Sequence, residues 1–248
     1  MIGVLALAAC GGPSDSPPGP LGKHFDDMYI AQIGLDQKQS VVQTQNDWSV
    51  AKMENAKAEA DYNQMTQQLT VVRNDRQKAK LEQDSAASNK KSADASGDTN
   101  KMNDAQKQLR GAELAVKAAD ARVKYYEAYR GYLKKWWRYT QENMYWREAQ
   151  YELAKAQLAQ KNNIQPKGVT FESFTAQEQE RNRRAQTAKQ KADGEKTRAT
   201  TARESWIAAQ SASDSANGRQ GNLPDPMATP APSTTAGPAP TPTPTPTP

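Results

Sequence analysis

From Val41 to Leu158 the apolar residues recur in alternating steps of three and four. Counted from Met102, the positions are Met102, Ala105, Leu109, Ala112, Val116, Ala119, Val123, Tyr126, Arg130, Leu133, Trp137, Thr140, Met144, Arg147, Tyr151, Ala154 and Leu158, and 14 of these 17 are apolar or aromatic. The preceding segment repeats the pattern at Val41, Thr44, Trp48, Ala51, Asn55, Ala58, Tyr62, Met65, Leu69, Val72, Arg76 and Ala79, where nine of 12 fit. Such a heptad repeat places one stripe of each helix against a partner. Residues 85–100, SAASNKKSADASGDTN, are small and polar and read as a loop. The spacing therefore predicts two long helices folded back as an antiparallel hairpin. With the loop centred there, facing residues have numbers that total about 185. Trp48 then meets Trp137, Ala58 meets Tyr126, and Asn55 meets Arg130 as a polar layer.

A third helix is predicted after a turn forced by Pro166 and Gly168. Thr175 and Glu178 have capping-box spacing. Ala185, Ala188, Ala192, Ala199, Ala202, Trp206 and Ala209 continue at heptad spacing, and Asn217–Gly218 reads as the stop. The predicted helices are about 26–84, 101–162 and 175–216, within a bundle spanning 24–217. A second stripe on the middle helix (Tyr125, Tyr129, Tyr132, Trp136, Tyr139 and Trp146) lies about 100° from the first. Two seams on one helix imply two neighbours, so the Ala-rich third helix is expected to cover these rings, with residue totals near 334. Tyr145 alone among the aromatics from 124 to 156 falls on the predicted outer face, which makes it the candidate exposed contact.

Composition supports this reading. Leu, Ile, Val and Phe make up 29 of 248 residues, a fraction associated with disorder, but 38 Ala and 23 Gln supply helix-tolerant positions instead. Of 15 prolines, four lie at 13–20 and ten at 224–248, leaving Pro166 alone between them. That partition excludes a β-sandwich and a compact α/β enzyme. The fold class expected is all-α: an elongated antiparallel coiled-coil hairpin with a shorter third helix and a Pro-rich, disordered C-terminal tail over 218–248. The net charge of +5 includes a basic third helix, with eight Lys or Arg against five Asp or Glu between Glu178 and Glu204. This fits a solvated face or an anionic partner such as cell-wall polymer.

At the amino terminus, the apolar run MIGVLALAA precedes Cys10, the only cysteine. Leu7-Ala8-Ala9-Cys10 resembles the lipobox that ends a bacterial lipoprotein signal peptide. The resemblance implies that residues 1–9 are a truncated signal peptide, because a basic n-region is absent. It implies diacylglyceryl attachment and acylation at Cys10, followed by a flexible tether over 10–23. Gly11 stands where Asp would retain an enteric lipoprotein at the inner membrane, which implies the outer membrane, facing the periplasm. It covers residues 1–10 and speaks to location alone.

Chemistry is sparse. The single histidine, His24, stands at the tether boundary. No His/Cys/carboxylate group has zinc spacing, and no Gly-rich phosphate loop occurs. Glu142, Glu148 and Glu152 read as solvated ion-pairing residues. No catalytic residue, cofactor or metal is expected, and the chain is not expected to be an enzyme. The expected function is that of a lipid-anchored envelope scaffold or adaptor, with the membrane held through Cys10 and a protein or cell-wall polymer as partner. Alternatives are a subunit of a trans-envelope export or motility complex and, if the lipobox is fortuitous, a cytosolic coiled coil that binds nucleic acid.

Overall fold

A computed structural model describes residues 17–219, 221 and 223–228. The chain begins as an extended segment with two short 3-10 turns, Asp27–Ile30 and Leu35–Gln37. Three helices follow: α1 (Gln39–Ser96), α2 (Thr99–Lys161) and α3 (Phe171–Asn217). At 1.5 Å per residue they are about 87, 95 and 70 Å long. The architecture is the expected all-helical hairpin with a third helix. Helix α2 is the centre: α1 packs along one side, α3 along another, and the outer two scarcely touch each other.

The expected loop over 85–100 is replaced by a two-residue turn. Helix α1 continues to Ser96, Gly97 takes the left-handed conformation at φ 65°, and Asp98 caps α2 by accepting from the Asn100 and Lys101 amides. The reason is visible in spacing. Ala79, Ala86 and Ala93 continue the heptad at steps of seven, and Ala86 and Ala93 are buried. Their small polar neighbours made the segment look like loop, although Ser and Asn on the outer face of a long helix cost little.

Losing the loop moves the register. Trp48 stacks on Tyr151 and Tyr62 on Trp137, and each pair totals 199 (48 with 151, 62 with 137). The shift from 185 is 14 residues, two whole heptads. The seam positions therefore still face one another, but with different partners. Asn55 meets the Thr140 hydroxyl at 3.2 Å rather than Arg130. Between α2 and α3 the totals fall below the expected 334: Tyr125 with Trp206, Gly111 with Asn217, and Glu142 with Arg184 give 331, 328 and 326. Helix α3 starts at Phe171, earlier than 175, because Phe171 and Phe174 are drawn into the basal core. Thr175 and Glu178 thus lie inside the helix, and Glu178 accepts the Trp146 indole N–H instead of capping. The expected stop at Asn217–Gly218 is present, with Gly218 at φ 60°.

Two apolar cores sit at different heights. The basal one joins Phe25, Ile30, Val41, Leu158 and Phe174; the upper one joins Met65, Leu69, Val72, Tyr126, Leu133 and Trp206. Along α3, Ala185, Ala188, Ala192 and Ala199 are buried against α2, so the Ala stripe faces the aromatics as the spacing predicts. The first helix starts at Gln39 instead of near 26, because Asp26 to Lys38 are spent on the two short turns. Part of the supposed tether, residues 17–23, is folded onto the body, with Leu21 buried. At the other end, 223–228 is also packed down, although it lies within the stretch 218–248 read as disordered tail. Among the described residues, no helix is long and apolar enough to cross a membrane.

Candidate functional site

The first candidate is the base, where the amino-terminal segment docks. Glu152 and Lys155 are three residues apart on α2, and both are buried at 4% exposure. The Phe25 amide donates to Glu152 Oε2 at 2.6 Å. Lys155 Nζ donates to the Phe25 carbonyl at 2.8 Å and to Asp27 at 2.9 Å, while lying 3.0 Å from Glu152. Burial would favour loss of the lysine proton, but Asp27 and Glu152 outweigh it and push its pKa above the ordinary value. A buried charge is tolerated only with such complete pairing. Further up α3, Gln177 pairs with both backbone groups of Lys23, and Arg181 donates to the Gly19 and Pro20 carbonyls. The segment is thus clasped by side chains of two helices. His24 lies 3.6 Å from Glu152 at the same place.

The second candidate is the aromatic seam. Tyr125, Tyr129, Tyr132, Trp136 and Tyr139 form an unbroken ladder, with successive ring centroids 5.0–6.3 Å apart. Trp206 from α3 stacks on Tyr125 at 5.3 Å and 12°. The head of the ladder is covered by the carboxy-terminal strap. Tyr125 donates to Asp225 at 2.6 Å and accepts from the Met227 amide, Tyr126 donates to the Pro224 carbonyl, and Arg203 donates to the other Asp225 oxygen at 2.5 Å. Burial, followed by the Asp225 contact, raises the Tyr125 pKa well above its ordinary value. Burial would raise that of Asp225 too, but the bonds from Tyr125, Arg203 and Met227 outweigh it and hold the carboxyl below the usual range.

The predicted residues distribute as follows. Cys10 and the lipobox lie outside the described residues, as does the chain after 228. Tyr145 is half-buried, with the Arg181 guanidinium 5.3 Å over its ring, so it belongs to the α2–α3 contact rather than a free outer face. Of the three carboxylates read as solvated, Glu142 and Glu152 are buried. Glu142 accepts from Arg138 and Arg184, and burial raises the Glu148 pKa. They become structural because α3 and the amino-terminal segment pack over α2 at these positions. The exposed basic residues of α3 pair largely within the helix, as Arg183 with Glu180, Lys189 with Asp193, and Arg198 with Glu195. Among the described residues, no cluster of His, Cys, Asp or Glu could hold a metal ion.

The class of molecule defined here is a helical rod with a terminal segment folded into each of two places along it. No family model, no curated protein and no solved structure matches the chain.

Proposed function

We propose that the chain is a lipid-anchored spacer and adaptor of the cell envelope, held in the outer membrane through acylated Cys10 and presenting its far end to a partner in the periplasm. The observation that carries this reading is where the amino-terminal segment docks. From Cys10 to Pro17 is seven residues, a reach of at most about 25 Å. Pro17 leads into a segment clasped to α3 as far up as Arg181, about 15 Å above the start of that helix, so an anchor at Cys10 reaches the base but not the far turn. The turn at Gly97–Asp98 lies at the opposite end of a helix of about 95 Å. Leu35 and Met28, at 81% and 70% exposure, lie in the short turns at the base and suit a headgroup boundary. The partner is a protein or cell-wall polymer.

Growth with an alkyne fatty acid tests the anchor. Label is expected in the full chain and in the membrane fraction, and both are expected to disappear in Cys10→Ser. An unlabelled wild-type chain, or label that survives Cys10→Ser, defeats the proposal.

A further inference from the structure

Helix α1 turns one stripe toward α2. Ala51, Ala58, Met65, Val72, Ala86 and Ala93 are buried at multiples of seven, so each heptad position forms a straight column along the helix. The three columns opposite that stripe, from Val42 to Leu81, hold 18 residues, and every one is exposed. Only Lys57 and Lys78 among them are charged; seven are apolar and nine are uncharged polar, mostly Asn and Gln. The exposed positions of α3 provide the contrast. Between Thr175 and Ala208 there are 19, and eight are charged, as expected of a helix face that meets water.

The outer face of α1 therefore displays large apolar side chains where charge is expected. Val42, Val50, Met53, Val71 and Leu81 all lie in its three columns, each 47–65% exposed. Charge is confined to the two edges of the face. One edge column is acidic, with Asp47, Glu54, Asp61, Asp75 and Glu82. The other carries Lys52, Arg73 and Lys80 with a single acid, Glu59. Arg73 and Asp75 also bridge to α2, yet about half of each side chain stays open to solvent.

This arrangement is complementary to itself. A two-fold contact brings each residue near its own copy. Like charges at its centre repel, whereas apolar side chains pack and amides, which both donate and accept, pair with themselves. With the two-fold axis along the rod, the acidic edge of one α1 faces the mainly basic edge of the other. An antiparallel pair sets acid against acid, which costs energy. The face is about 60 Å long and about 10 Å wide, so two copies together bury on the order of 1,200 Å², the size of a small specific interface.

We infer that the outer face of α1 is the contact with a second copy of this chain, the two rods lying parallel and in register. The inference does not rest on lipid anchoring, although a parallel pair sets both bases at one end.

Analytical ultracentrifugation of the full chain carrying Cys10→Ser tests it without association driven by lipid. A two-copy species is expected at micromolar concentration. Met53→Glu together with Val71→Glu is expected to weaken it roughly ten-fold or more, because four carboxylates then meet near the axis. Both positions are exposed, so the helices stay formed, which circular dichroism checks. Thr201→Glu with Ala208→Glu, on the exposed face of α3, is expected to leave the association unchanged. Orientation is read from Met53→Cys and Leu81→Cys, each introduced alone in the same background, which then holds no other cysteine. The two positions share a column, and parallel rods in register bring each to its own copy, so both variants are expected to oxidise to a covalent dimer. An antiparallel pair can join at most one of them. A chain that stays monomeric, a dimer that the paired Glu substitutions leave intact or that the α3 substitutions weaken equally, or cross-linking at fewer than both positions overturns the inference.

Discussion

Asp225 illustrates how much one side chain can hold. Its two oxygens take bonds from Tyr125 on α2 and Arg203 on α3, so a strap without regular structure is joined to two helices at once. Its pKa is depressed on folding. A depressed carboxyl contributes stability above its unfolded value of about 3.9, and that contribution is lost as pH falls through the folded value. In an NMR titration the Asp225 carboxyl should titrate below the ordinary Asp range, with the Met227 amide shifting at the same midpoint. Asp225→Asn should weaken docking of the strap by about 1–3 kcal/mol, read as faster amide exchange at Met227, while the helices stay formed. Unchanged exchange would remove Asp225 from this role. None of this was legible beforehand. Leu-Pro-Asp-Pro reads as the start of a tail, and its partner Tyr125 lies 100 residues away. Glu152 was misread for a related reason: a carboxylate at helical spacing from a lysine looks solvated until a distant segment folds over it.

At the scale of the helices, the pattern revealed which faces meet but not which residues meet. A heptad repeat is unchanged by a slide of seven or 14 residues, so the seam could be right while every partner was wrong. The deciding feature was the turn, and the turn was hidden by small residues that serve equally in a loop or on a helix surface. Gly97, followed by the capping Asp98, was the available signal. The register is open to direct trial in the Cys10→Ser background. A cysteine pair at Asn55 and Thr140 should oxidise to a disulfide, since these residues touch in the native seam. A pair at Asn55 and Arg130 should not, because Arg130 is ten residues, about 15 Å, along α2 from Thr140. Disulfide formation at 55 and 130 but not at 55 and 140 would restore the register of 185. The Ala stripe of α3 was legible at Ala185, Ala188, Ala192 and Ala199, which are buried, while Ala202 and Ala209 are half-buried, because Ala at heptad spacing opposite a ring-rich seam packs closely.

Considered whole, the molecule is long and thin, with two small cores, a central helix carrying both seams, and terminal segments bound at defined heights. The low content of Leu, Ile, Val and Phe follows from this shape: a rod three helices thick at most has little interior, and Ala, Tyr and Trp fill it. The central claim about function is that the rod is held by its base and stands away from the lipid. Energy transfer to a lipid-embedded acceptor, measured with the acylated full chain in vesicles, tests this most directly. A donor at Lys161 should transfer strongly, and one at Ser96, near the far end of α1, should transfer almost nothing. Equal efficiencies from the two positions would mean that the rod lies along the membrane, and would contradict the spacer.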